Sequence, residues 1–186
     1  MSERLREALH RIDAEAYAAV ASTHTPALDA PLAAVSRAAD LSKLWLAGAG
    51  MLALAGGPRG RDAAVSGLAA IAVTSAIVNL AFKPLGRRTR PDRVAHEVHA
   101  ARHVPMPAST SFPSGHSASA FAFATGVAHV LPAAGGAARA AAALVAYSRI
   151  HTGVHYPGDV LAGSLAGVVL GKATAVALER SGRIAR

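Results

Sequence analysis

The 186 residues read as an all-α, multi-pass transmembrane helical bundle of about five spans with N-terminal amphipathic interfacial helices. Composition carries part of that reading: the chain is 52% hydrophobic and 16% charged, with a mean hydropathy of +0.33. Distribution carries the rest, because the apolar residues are gathered into long runs and the polar ones into two connections between them. In so apolar a chain a net charge of +8 must be local, so neither disorder nor a nucleic-acid partner is expected. Cysteine is absent, which removes disulfide frameworks, thiolate zinc sites and cysteine nucleophiles.

Residues 1–40 are expected to form the interfacial helices. Leu5, Leu9, Ile12, Ala16 and Val20 recur at spacings of three and four, with Arg4, Arg6, Glu7, Arg11 and Glu15 between them. Those acidic residues, with no small-residue cleavage site following, argue against a secretory signal peptide. A second short segment follows Thr23–Pro26, with Asp29 as its N-cap, Pro31 in its first turn and Leu32 and Val35 on one face. Residues 41–178 should hold the membrane domain. Ala63–Phe82 is twenty residues without a charge, about 30 Å as a helix and the thickness of a bilayer's hydrocarbon. Ser117–Ala134 adds eighteen uncharged residues, and Val160–Leu178 adds nineteen interrupted only by Lys172, which can snorkel. Leu44–Gly57 and Pro132–Ile150 are weaker spans, the latter carrying Arg139 and Arg149 near its ends. Residues 179–186 form a basic C-terminal tail.

Function is concentrated in the two polar connections, Lys83–Ser114 and Ser148–Asp159, which five spans would place on the same membrane face. In the first, Lys83, Arg87, Arg88, Arg90, Arg93 and Arg102 put six of the nineteen cationic residues within twenty positions, opposed only by Asp92 and Glu97. Such a cluster attracts phosphate, although a positive-inside cytoplasmic loop has the same composition.

Three short stretches decide between those readings: Lys83, six residues, then Arg90-Pro91; Pro113-Ser114-Gly115-His116; and Ser148-Arg149, five residues, His155, three residues, Asp159. In this order, separated by 21 and 31 residues, they resemble the signature of the type 2 phosphatidic acid phosphatase superfamily. Val154-His155-Tyr156-Pro157-Gly158-Asp159 is similar to its membrane lipid-phosphatase branch, and the resemblance covers Leu41 to about Leu178. It implies a phosphatase that works through a phosphohistidine intermediate.

The chemistry can also be argued from the residues. Phosphoryl transfer spreads negative charge over three non-bridging oxygens, which fixed donors must meet. Lys83, Arg90 and Arg149 supply cations, Ser114 and Ser148 hydroxyls, and Gly115 a backbone N–H that can approach closely. A helix starting near Gly115 would add its free N–H groups and positive dipole end to the same anion site. No metal or cofactor is then required. His155 and Asp159 are four residues apart, so at a helix start they share one face; the carboxylate can hold the imidazole while its other nitrogen attacks phosphorus. His116 has no partner at that spacing and suits a general acid that protonates the leaving oxygen and then activates water.

His96, His99 and His103 fit no helix face as metal ligands and are expected to line a solvated loop. His151 is expected to be a loop histidine, and Asn79 to make an interhelical hydrogen bond or a contact within the site. Gly163, Gly167 and Gly171 make a smooth face that packs on another helix, of this chain or of a second copy in a homo-oligomer.

The expected partners are therefore the bilayer and a lipid phosphate. The candidates are phosphatidic acid, phosphatidylglycerol phosphate, a polyprenyl diphosphate and a polyprenyl-phosphoryl sugar phosphate. With no span before the amphipathic segment and an alanine- and arginine-rich composition, the chain resembles small actinobacterial members assigned to dephosphorylating decaprenylphosphoryl-5-phosphoribose for cell-wall arabinan synthesis. A vanadium-dependent haloperoxidase shares the signature but is soluble and larger, and a non-catalytic lipid-binding protein would not need His155, His116 and Asp159 together. The chain is expected in the inner (cell) membrane. Arg59, Arg61, Arg139, Arg180, Arg183 and Arg186 at the opposite end favour a site on the outer face.

Overall fold

The computed structural model describes residues 3–185, so Arg186 at the end of the tail lies outside it. Its elements are α1 (Glu3–Ala21), α2 (Pro26–Ala38), a 3₁₀ turn (Asp40–Ser42), α3 (Lys43–Ala55), α4 (Gly57–Ile77), α5 (Lys83–Gly86), α6 (Gly115–Val130), α7 (Pro132–His151) and α8 (Pro157–Arg180). A π turn over Val78–Phe82 joins α4 to α5, making one helical stretch of thirty residues. Among the described residues there is no strand, as expected of an all-α chain.

α6 is the central helix, packed by α4, α7 and α8 and buried along most of its length. Small residues let the backbones meet. A Cβ at Gly126 would come within 2.7 Å of the Ser66 carbonyl oxygen, and Ser66 Oγ donates to the Gly126 carbonyl at 2.8 Å. The glycine face of α8 is used in the same way: a Cβ at Gly163, Gly167 or Gly171 would lie 2.3, 2.3 or 2.9 Å from the carbonyl oxygens of Ser114, Ala118 and Ala122. The partner of that face is thus α6 of the same chain. The opposite face of α8 exposes Leu161, Leu165 and Val169, and α3 exposes Met51 and Leu54, surfaces suited to lipid.

Each of the five apolar runs forms a helix, but five spans do not follow. The Gly57–Gly86 stretch and α8 are long and apolar enough to cross a membrane, and α2 with the 3₁₀ turn and α3 makes a third if that pair, bent by 65°, counts as one. Length and composition explain the shortfall. α6 has sixteen residues, about 24 Å, and α3 thirteen, about 20 Å, both short of the hydrocarbon core. α7 is long enough, but it is rich in weakly apolar alanine and carries Arg139 and Arg149.

α2 corrects a second expectation. It starts at Pro26, with Thr25 in the N-cap position, so Asp29 lies inside the helix and Pro31 beyond its first turn. Buried Asp29 instead joins distant elements: its Oδ1 accepts from Arg102 Nε at 2.8 Å and lies 3.0 Å from His151 Nε2. His151 is therefore a buried member of this cluster at the end of α7 and not a loop residue. Arg102 also donates to the Thr23 carbonyl, so the cluster ties the α1–α2 turn to the Lys83–Ser114 connection.

Candidate active site

The N-termini of α6 and α8 lie side by side, because the Ser114 backbone N–H donates to the Asp159 carbonyl at 2.9 Å and Gly163 allows close packing just below. Two helix starts, each a positive dipole end, therefore meet at one place. The polar connection Lys83–Ser114 folds over them.

His155 immediately precedes α8, whose N-cap is Tyr156. Asp159 therefore reaches it through a capping box: Asp159 Oδ2 accepts the Tyr156 backbone N–H at 2.9 Å and lies 3.5 Å from His155 Nδ1. The pairing matches the four-residue spacing, although a shared helix face is not its cause. Ser111 Oγ donates to the same carboxylate oxygen and sits 3.4 Å from His155 Nδ1.

On the other side of the ring, Arg90 Nη1 is 3.1 Å from His155 Nε2 and donates to the Val154 carbonyl at 2.7 Å. A guanidinium can only donate, so Nε2 carries the lone pair and the proton of the neutral ring sits on Nδ1, facing Asp159. Burial is the main reason that His155 holds its proton weakly. The pKa is lowered from 6.5 to about 4, with Asp159 opposing the shift and Arg90 and Arg149 adding to it.

Lys83 joins the group through Ser109, whose Oγ lies 3.0 Å from Lys83 Nζ and 3.3 Å from Arg90 Nη2. A Cβ at Gly115 would stand 3.7 Å from Lys83 Nζ, in the space between the ammonium and the start of α6. Lys83, Gly115 and His116 line a cleft of about 190 Å³, with Asn79 and Ser119 on its wall. Among the described residues Asn79 makes no interhelical bond: its amide donates to the Ser75 carbonyl of its own helix at 2.8 Å. Beside this cleft, α4 and α6 are joined by Ser75 Oγ and Ser119 Oγ, 3.1 Å apart.

His116 does have a carboxylate partner, which sequence spacing does not reveal. Asp40, in the turn between α2 and α3, places its Oδ1 2.8 Å from His116 Nε2. Arg149 lies 3.9 Å from the same oxygen and is fully buried, with Nη1 donating to Ser36 Oγ and, among the described residues, no partner for Nε. Two of the sequence candidates are turned to other tasks. Ser114 Oγ caps α6, accepting from the Ser117 N–H and hydroxyl. Ser148 Oγ donates back to the Val145 carbonyl of α7 and does not join the cluster.

A layer behind the site also escapes a sequence reading. Arg88 Nη1 bridges Asp159 Oδ1 at 3.0 Å and Asp13 Oδ2 at 2.6 Å, and its guanidinium lies 4.0 Å over the Tyr156 ring. Asp13, on α1, accepts the Gly158 N–H at 2.6 Å as well. The three loop histidines are engaged separately: His96 edges onto Tyr17, His99 Nδ1 accepts from the Ala101 N–H, and His103 Nε2 lies 2.9 Å from the Val98 carbonyl.

The sequence model of the PAP2 superfamily matches residues 63–183. A lipid A 1-phosphatase of Rhizobium johnstonii is 35% identical over 109 residues, which are 57% of this chain and 44% of that protein, so the match spans less than half the relative's length. Among solved structures, Aquifex aeolicus LpxE superposes with a TM-score of 0.72 at 24% identity, covering 88% of this chain and 94% of that one. A transmembrane PAP2-type phosphatidylglycerolphosphate phosphatase of Bacillus subtilis superposes with a TM-score of 0.70 at 24% identity, covering 93% and 87%. At such identities the two structures speak for the fold.

Proposed function

The chain belongs to the PAP2 superfamily, and from that premise we propose that it is an integral membrane, metal-independent phosphatase that removes a phosphate from a lipid headgroup through a phosphohistidine on His155. The observation that carries this reading is the line Asp159, His155, Arg90, in which a carboxylate holds one ring nitrogen while a cation lies against the other.

In the first step the phosphoryl oxygens draw Arg90 from Nε2, and the exposed lone pair attacks phosphorus in line. The N–P bond forms as the P–O bond to the lipid breaks. Lys83, Arg90, Arg149 and the Gly115 N–H meet the charge on the non-bridging oxygens, each such donor being worth about 2.7 to 4 kcal/mol in the transition state. His116 enters the step as the imidazolium, its Nε2–H held by Asp40, and gives its Nδ1 proton to the leaving oxygen. In the second step a water gives its proton to His116 and attacks phosphorus. The N–P bond then breaks, releasing phosphate and the imidazole. Asp159 stabilises the positive charge that the ring carries while phosphorylated.

Within the class of lipid phosphates, the sequence resemblance favours decaprenylphosphoryl-5-phosphoribose, whereas the Rhizobium relative points to a lipid A 1-phosphate. Phosphate release from purified protein on a panel of these two with phosphatidic acid, phosphatidylglycerol phosphate and a polyprenyl diphosphate, at equal detergent, tests the proposal. Release should survive a chelator. Dependence on an added divalent metal would overturn the mechanism, and no release from any lipid phosphate would overturn the function.

The inner-membrane placement with the site outside is supported by the arginines at the far end. The chain is free of native cysteine, so single cysteines report topology directly. Val94→Cys, exposed in the loop beside the site, should react with an impermeant thiol reagent in intact cells, and Gly136→Cys at the start of α7 only after lysis. The reverse pattern would place the site inside.

Removing the charge of Asp13 tests whether α1 positions the site. Asp13→Asn should lower kcat about tenfold with KM within about twofold, because it loosens Arg88 and the start of α8 without touching substrate. A rise in KM alone would instead give α1 a role in lipid capture.

The lowered pKa of His155 predicts a neutral ring where a free one is charged. At pH 5.5 an ordinary histidine is about nine-tenths protonated, yet His155 should stay largely neutral in histidine-labelled NMR spectra. Since the unfolded chain binds this proton more tightly, the group's contribution to stability is fully present above pH 6.5 and is lost as pH falls toward 4. A midpoint near 6.5 for His155 would show that it is not desolvated.

A further inference from the structure

At the end of the bundle remote from His155, four helices bring together cations that the phosphoryl chemistry does not use. Lys172 lies thirteen residues beyond Asp159 on α8, about 20 Å along the axis. There a cavity of about 230 Å³ is lined by Arg59 of α4, Thr125 and His129 of α6, Arg139 of α7 and Lys172.

The hydrogen bonds show what is already committed. Arg59 Nη2 donates to the Val130 carbonyl at 3.0 Å, which occupies one nitrogen of its fork. His129 is buried and held from both sides, with Lys172 Nζ 3.1 Å from Nδ1 and Glu179 Oε2 2.7 Å from Nε2. Glu179, the carboxylate bonded to this cluster, is thus engaged by the histidine. Among the described residues Arg139 has no carboxylate within salt-bridge distance. Thr125 is the independent sign of a ligand. The residue is 6% exposed and lines the cavity, and among the described residues its hydroxyl has no hydrogen-bond partner. A folded chain rarely buries a hydroxyl in that state.

We propose that this cavity is a second phosphate-binding site, taking a phosphate group borne by an anionic phospholipid or present as the free ion. Two arginine forks and an ammonium match the several acceptor oxygens of a phosphate, and Thr125 supplies the buried donor. The inference does not rest on phosphatase activity, so either can fail without the other.

Binding of phosphatidylglycerol and of inorganic phosphate to the purified full chain, measured separately by native mass spectrometry and by thermal shift, tests it. Arg139→Gln should weaken binding of the true ligand about tenfold, and Thr125→Val several-fold, with turnover unchanged in both. Thr125→Val without ligand should melt at or above the parent temperature, since it deletes a hydroxyl that has no partner. Protection by phosphatidylglycerol alone identifies a lipid headgroup, and protection by inorganic phosphate alone identifies the free ion, provided that Arg139→Gln removes it. Binding unchanged in both variants, or lost protection that follows only a lower melting temperature in Thr125→Val, would overturn the proposal.

Discussion

Replacing His155 by alanine should abolish both turnover and the labelled phosphoenzyme, a loss of about ten-thousandfold or more in kcat. The size follows from the step removed. Without Nε2 no nitrogen stands between Arg90 and Asp159, and a water entering that space would have to attack without an intermediate and without the basicity that Asp159 lends the ring. Rapid quench with a ³²P-labelled lipid, followed by acid and base treatment of the protein, reads both quantities, since phosphohistidine is acid-labile and base-stable. Persistence of the labelled protein in the variant would move the nucleophile elsewhere, and His116 would be the next residue to test. The fold should tolerate the change: His155 lies outside the helices, and Ser111 and the Tyr156 N–H continue to satisfy Asp159.

Arg90→Lys is the second large effect, and it tests geometry where the first tests chemistry. Arg90 spreads its nitrogens over the Ser109 and Thr110 carbonyls, the Val154 carbonyl and His155 Nε2, so its planar fork both braces the loop and faces the nucleophile. A lysine keeps the charge but not the fork. The expected loss is about 10² to 10³ in kcat/KM, close to that of one transition-state donor, and addition of guanidinium should not restore the braced loop. Full activity in Arg90→Lys would mean that only charge is needed at this position.

Much of the site could be read in the sequence because its residues sit in short stretches with set spacing. Lys83 and Arg90, Ser114 to His116, and Arg149, His155 and Asp159 announce a phosphate-handling cluster, and the glycine spacing of four announces a packing face. Their supports could not be read. Asp40 meets His116 across 76 residues, Ser111 meets Asp159 across 48, Asp13 meets Arg88 across 75, and Asp29 meets His151 across 122. A weak signal existed for one of them, since Asp40 is the sole acid between Asp29 and Asp62. Nothing in a local pattern, however, says where a turn will deliver it.

The expected five spans are not confirmed, for a related reason. Hydropathy marks α3, α6 and α7 as apolar, but it does not distinguish a helix sheathed by its neighbours from one that meets lipid along its full length. α6 is buried on all sides and needs no more than sixteen residues to carry the site. By itself, then, the sequence determined the all-helical class, the positions of the apolar helices and the residue types of the candidate site, since periodicity and side-chain type are local properties. Only the tertiary structure decided that α8 packs on α6 of its own chain, that α1 reaches the back of the site through Asp13, and that each candidate histidine has its own carboxylate. Those contacts depend on the relative placement of segments far apart along the chain, which is set by the packing of whole helices and not by any short stretch of residues.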